Sequence, residues 1–153
     1  MIVIIEGADG TGKTTLANKL AKDLKCEVVH RTHVTDTPKS QLVDIYKELI
    51  LEYSDKTVVL DRAWYSEMCY GPIFRGKSHI SQEAMLELEA LVKATGGLII
   101  YCSAPNSFEL SQTRGEDYVT SKTQHDAVCE LYENVFKEQP HELVVLEWHL
   151  TEA

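Results

Sequence analysis

The chain has 153 residues, of which 44% are hydrophobic and 25% charged, and it carries a formal net charge of −9 at pH 7. That length fits a single domain with a real core, and the composition is ordinary for a globular protein. The acidic balance and the lack of any Lys/Arg cluster argue against a nucleic-acid surface, and no apolar run approaches the roughly 20 residues of a membrane span. Short apolar runs alternate with helical patterns from end to end. Residues 2–5 (Ile-Val-Ile-Ile) read as a buried strand that ends at Glu6, which is no signal peptide. A Gly-rich stretch follows, then an amphipathic helix over 13–24 with Leu16, Ala17, Leu20, Ala21 and Leu24 on one face, and a second strand over 27–30. After a polar loop, Pro38 opens a helix as a first-turn proline, with Leu42, Ile45, Tyr46, Leu49 and Tyr53 facing inward. A third strand covers 57–61, and a helix from Ala63 is expected to stop at Tyr70, before Gly71-Pro72.

Ser81 caps the next helix, whose inner residues would be Met85, Leu88, Leu91 and Val92, and Gly96-Gly97 ends it. A fourth strand covers 98–102. Asn106-x-x-Glu109 starts a short helix to Thr113 and Ser121-x-x-Gln124 a longer one, with Gln124, Val128, Leu131, Tyr132, Val135 and Phe136 inward. A fifth strand covers 143–147. Strands separated by helices make a parallel sheet with helices on both faces, an α/β three-layer fold. Ligands in such sheets sit beyond the carboxyl ends of the strands. The four cysteines are scattered, which reads as reduced thiols in a cytoplasmic protein. His30-x-x-His33 lacks partners at ligand spacing, so no metal is expected there.

Gly7-Ala8-Asp9-Gly10-Thr11-Gly12-Lys13-Thr14 fits G-x-x-x-x-G-K-[ST] between a strand and a helix, the phosphate-binding loop. Its backbone N–H groups and the helix N-terminus suit a polyphosphate, Lys13 reaches the outer phosphates, and the Thr14 hydroxyl suits Mg²⁺. Asp61, at the tip of the third strand, is costly there unless it meets a cation, and it is a second candidate for Mg²⁺. All four arginines, Arg31, Arg62, Arg75 and Arg114, fall outside the long amphipathic helices. Forked guanidinium groups suit phosphate oxygens, so these residues suggest two phosphate clusters, a donor and an acceptor. The polar stretch around Arg114-Gly115-Glu116-Asp117-Tyr118 reads as a mobile flap over 111–121 that closes on the donor phosphates. Tyr65 and Tyr70, in the aromatic group after the third strand, are candidates to line a slot for an acceptor base.

Glu6-Gly7-x-Asp9-Gly10-x-Gly12-Lys13-Thr14-Thr15 resembles the phosphate-binding loop of thymidylate kinases, and Asp61-Arg62-x-x-x-Ser66 with Tyr70 is similar to that family's second signature. The short length and the Tyr70-Gly71-Pro72…Arg75-Gly76 run look like the compact deoxynucleotide kinases of tailed bacteriophages. The resemblance implies the P-loop NTPase fold, a five-stranded parallel sheet of order 2-3-1-4-5. It also implies a phosphotransferase that uses ATP and Mg²⁺. Gly7, Asp9, Gly10, Thr11, Gly12, Lys13, Thr14, Thr15 and Arg114 would then bind ATP, with Thr14 and Asp61 at the metal. Asp9, Arg31, Arg62, Tyr65, Ser66, Tyr70 and Arg75 would bind the acceptor, and Lys13, Asp61, Arg62 and Arg114 would carry the transfer. Two departures fall near where the base would be read. Arg31-Thr32-His33-Val34-Thr35-Asp36 replaces the usual acceptor loop, and Gly71 stands where a glutamine is expected. A homodimer is implied by the pairing of cellular members, and a host-cytoplasmic location by the phage likeness.

The expected function is a deoxynucleoside monophosphate kinase with dTMP as favoured acceptor. A kinase acting on a hydroxyl, of a deoxynucleoside or a polynucleotide 5′ end, and a non-catalytic P-loop regulatory module stay open beside it.

Overall fold

Parallel strands buried on both faces need unbroken apolar runs, and the sequence supplies them. β1 (Ile2–Glu6) is buried throughout, and β3 (Val58–Asp61) is as well. The computed structural model describes residues 1–30, 38–113, 119 and 121–150. With β2 (Glu27–His30), β4 (Leu98–Ser103) and β5 (Val145–His149), these strands form one sheet of order β2-β3-β1-β4-β5. Every pairing is parallel, so all strands run to the same edge. The register sets Ile5 and His30 on either side of Asp61, and Glu6 beside Tyr101. The expected P-loop fold and strand order are those observed.

Alternation along each strand divides the core in two. Ile2, Ile4, Val58, Leu60, Ile99 and Tyr101 face one layer, with Tyr46 of α2 (Leu42–Glu52), Trp64 of α3 (Trp64–Arg75), Leu88 of α4 (Gln82–Lys93) and Tyr132 of α6 (Lys122–Glu133). Val3, Ile5, Val59 and Cys102 face the other, where α1 (Lys13–Leu24) contributes Ala17 and Ala21. α5 (Ser107–Thr113) follows β4 at the strand-end edge.

Several boundaries depart from expectation. Pro38 precedes a 3₁₀ turn over Lys39–Gln41, and the α-helix starts at Leu42. α3 does not stop at Tyr70; it runs through Gly71 and Pro72 to Arg75. A residue before proline is pushed out of the helical region by clashes of its N–H and its Cβ with the proline ring, and Gly71 has no Cβ. In α4, Leu91 is 41% exposed and Glu89 takes the inner position instead. In α6 the buried residue is His125 rather than Gln124, its Nε2 lying 2.8 Å from Ser107 Oγ. The helix then widens into a π-helical turn over Asn134–Glu138. β5 begins two residues late because the Glu142 and Leu143 amides donate to Glu89 rather than to the sheet. All four cysteines are free thiols. Among the described residues no helix is long and apolar enough to cross a membrane.

Candidate active site at the strand ends

The loop between β1 and α1 is packed tightly against α5. Gly10 has φ of +80°, and a Cβ there would lie 1.9 Å from the Ser107 carbonyl oxygen, so only glycine fits. Thr11 Oγ1 donates to Ala8 O at 2.7 Å, and Lys13 Nζ donates to the same oxygen at 2.8 Å. Burial pulls the Lys13 ammonium down to about 8, and the Arg62 guanidinium adds like-charge repulsion against the opposing pull of Asp9, Asp61 and Glu6. An anion in the loop would meet a cation with strong reason to pair. Gly7, Gly10, Thr11 and Gly12 are buried in the loop wall, whereas Thr14 and Thr15 are exposed on the first turn of α1.

Asp61 and Thr14, both expected at the metal, meet each other, Thr14 Oγ1 donating to Asp61 Oδ2 at 2.9 Å. His30 joins them, its Nδ1 2.8 Å from the same oxygen. The sequence reading set His30 aside, yet its register opposite Asp61 across β2 and β3 was the available signal. A hydroxyl and a carboxylate side by side at the loop are suitable oxygen donors for Mg²⁺. No cluster of three or more His, Cys, Asp or Glu side chains able to hold a metal occurs among the described residues.

Arg62 lies in the left-handed region at φ +78°, its N–H donating to Ile5 O at 2.9 Å. Its guanidinium donates to Asp9 Oδ1 and, at 3.2 Å, to Ser66 Oγ, and stands over the Tyr70 ring at 5.4 Å. The Tyr70 hydroxyl accepts from the Asp9 amide at 3.1 Å. Asp9, Arg62, Ser66 and Tyr70 are therefore brought together beside Lys13. Beneath them lies Glu6, fully buried, which accepts from the amides of Gly7 (3.3 Å), Ala63 (2.7 Å) and Ser66 (3.0 Å), and from the hydroxyls of Ser66 (3.0 Å) and Tyr132 (2.9 Å). Sequence reasoning did not assign Glu6 to the site. The argument applied to Asp61, an acid at the tip of a buried strand, applied to it equally.

Tyr65 is not at a binding slot. It is fully buried, packs at a tilt against Trp64 and Phe136, and its hydroxyl donates to Glu89 at 2.8 Å. Arg75 is held by Glu67, which also accepts from the His79 amide at 3.0 Å. Arg31, Arg114 and the centre of the expected flap, with His33, lie outside the described residues.

Residues 2–85, more than half of the chain, match the family model for the AAA domain, dynein-related subfamily. The chain belongs to the AAA-domain family. The matched part of this AAA-family chain holds both the phosphate-binding loop and the Asp61-Arg62 turn. The SPbeta prophage-derived uncharacterized protein YorR of Bacillus subtilis (strain 168) is 26% identical over 135 residues, covering 88% of this chain and 81% of YorR. A crystal structure of YorR in complex with phosphorylated GDP superposes with a TM-score of 0.77 over 97% of this chain and 85% of that one, at 26% identity. Deoxyadenosine kinase from M. mycoides with bound dATP gives a TM-score of 0.64 at 14% identity, over 97% and 91% of the two chains. Thymidylate kinase from Candida albicans gives 0.61 at 18% identity, over 99% and 84%. The resemblance to thymidylate kinase-like P-loop enzymes thus extends through the whole fold.

Proposed function

We propose that the chain is an ATP- and Mg²⁺-dependent kinase that phosphorylates a deoxynucleoside monophosphate, with dTMP as the acceptor that the sequence resemblance favours. The observation that carries this reading is the Asp9–Arg62–Ser66 group standing beside the phosphate-binding loop, because it offers a second anion site next to the first. The donor phosphates would lie in the loop against Lys13. The acceptor phosphate would take Arg62 away from Asp9, freeing the Asp9 carboxylate for the sugar 3′-hydroxyl. Thr14 and Asp61 would hold Mg²⁺, which when bound offsets the charge of the phosphates. The acceptor phosphate is itself a nucleophile, so positioning and charge compensation do the catalysis and no strong base is required. Arg114, on a flap that closes over the donor, would complete the charge compensation. The YorR complex with phosphorylated GDP supports nucleotide binding in this chain as well.

A hydroxyl-directed kinase is the second reading, and the His30–Asp61 contact favours it by offering an oriented carboxylate as base. Coupled ADP-release assays with the four deoxynucleoside monophosphates and thymidine separate the two. We expect turnover with dTMP and none with thymidine. Arg62→Ala should lower kcat/KM for dTMP about a hundredfold, as charge-assisted hydrogen bonds contribute roughly 1.5–3 kcal/mol each, while the KM for ATP stays within about threefold. Absence of turnover with all four monophosphates rejects the proposal.

A further inference from the structure

His30 ends β2, an edge strand of the sheet, and parallel pairing sets its Cα opposite that of Asp61. The His30 side chain is 48% exposed and that of Asp61 only 7%. The imidazole therefore lies on the rim of the sheet and turns its Nδ1 inward to the carboxylate. An ion pair with one partner so exposed adds little to stability. A carboxylate only accepts hydrogen bonds, so the ring carries a proton on Nδ1 and donates to Asp61 Oδ2 at 2.8 Å. Thr14 Oγ1 donates to the same oxygen at 2.9 Å. Among the described residues nothing donates to Asp61 Oδ1.

The torsion that turns an aspartate carboxylate is broad and has no sharp staggered wells. One hydrogen bond, from a threonine on the first turn of α1, leaves that plane free to swing. Two, arriving from α1 and from β2, hold Oδ2 in place. Oδ1 is then held as well, because the two oxygens turn together, and it is the oxygen left to meet a divalent ion or a water bound to one. The Thr14 hydroxyl, with its proton given to Asp61, keeps its lone pairs for the same ion. Mg²⁺ demands near-ideal octahedral placement of its ligands, so a fixed oxygen serves it better than a swinging one.

We infer that His30 is a positioning residue of the divalent-ion site, holding the Asp61 carboxylate so that Oδ1 faces the ion that accompanies the donor phosphates. This rests on the reading of Thr14 and Asp61 as the Mg²⁺ residues of a nucleotide-dependent kinase, and it adds the residue that orients them. The partner of His30 comes from across the sheet rather than from its own stretch of chain, which is why the spacing to His33 gave no sign of it.

The test uses Mn²⁺ as the probe ion. Mn²⁺ is titrated into protein held in excess over ADP, and the free-ion EPR signal reports its Kd. ADP binding in EDTA is measured beside it by calorimetry, and a melting curve establishes that each variant is folded. We expect His30→Ala to raise the Mn²⁺ Kd about tenfold, the lower end of what losing such an outer partner costs, and to leave ADP binding in EDTA unchanged. His30→Asn, whose side-chain amide is a donor of similar reach, should recover most of that loss. An unaltered Mn²⁺ Kd in His30→Ala overturns the inference. So does an equal loss of ADP affinity in EDTA, which would make His30 a support of the loop rather than of the ion. Turnover of monophosphates together with native Mn²⁺ binding in His30→Ala sinks the inference and leaves the kinase reading intact. Mn²⁺ binding that depends on His30, without turnover of any monophosphate, sinks the kinase reading and leaves the inference intact.

Discussion

Glu6 and Glu89 are both fully buried carboxylates, and each gathers donors from several elements, yet they serve different ends. Glu6 collects only uncharged donors, at the start of the phosphate-binding loop, in the Ala63–Ser66 turn and on α6. The backbone it fixes is the one that holds Arg62 in a left-handed conformation. Glu89 takes the Tyr65 hydroxyl, His141 and the amides of Glu142 and Leu143, so it ties α4 to the lead into β5, away from the strand-end edge. A buried acid is costly without partners. One of these carboxylates is satisfied by donors around the candidate site, the other by donors that fasten the far side of the sheet.

That contrast can be broken by experiment. The largest effect is expected from Glu6→Gln, which turns an amide NH₂ toward donors. Leaving buried donors unsatisfied costs about 1–3 kcal/mol each, so acceptor kcat/KM should fall about thirtyfold or more. An unchanged acceptor KM in a folded Glu6→Gln protein would remove Glu6 from the site. Glu89→Gln should do the reverse. A stability loss of about 2 kcal/mol should lower Tm by roughly 4–8 °C, with ATP and dTMP binding unaltered.

The pH dependence sharpens the difference further. Burial pulls the His141 pKa down, but the hydrogen bonds to Glu89 and to the Val135 carbonyl outweigh it, so the folded value is raised above 6.5. Its contribution to stability is therefore complete below that ordinary value and is lost as pH rises through the folded pKa. Unfolding free energies of the native protein and His141→Gln should differ by about 1.5–3 kcal/mol at pH 6 and draw together in alkali; a difference that does not change with pH would contradict the pairing. The smallest effect is expected for Tyr132→Phe, which removes one hydroxyl from Glu6 and costs about 1 kcal/mol. It should appear as an acceptor KM a few times higher, measured beside an unchanged Tyr101→Phe control whose hydroxyl bonds Glu133 instead.

The alternation of strands with helices and the phosphate-binding loop were legible because both leave local signals, an apolar run and a glycine spacing, whereas the strand order came with the family resemblance. That Asp61, Arg62 and Tyr70 gather beside the phosphate-binding loop was legible from position at a strand end and from motif. What escaped was set by tertiary contact. Leu91 and Glu89 are two residues apart in one helix, and only the His141 and Tyr65 partners make the glutamate the inward residue. Tyr65 and Tyr70 look alike in sequence and both are buried, but Tyr65 packs on Trp64 and Phe136, whereas Tyr70 meets Arg62 and the Asp9 amide. The run of α3 past Pro72 hid behind a rule about proline that its neighbouring glycine relaxes.

The chain has two tryptophans, and the fold gives them separate tasks as optical reporters. Trp64 is fully enclosed among aromatic rings, so its emission follows global unfolding. Trp148 lies against the phosphate-binding loop, where a Cβ on Gly12 would be 3.3 Å from its ring, and it should respond when that loop is filled. Replacing Trp64 with phenylalanine would leave a single fluorophore whose intensity titrates with nucleotide, giving a label-free signal without chemical modification of the chain.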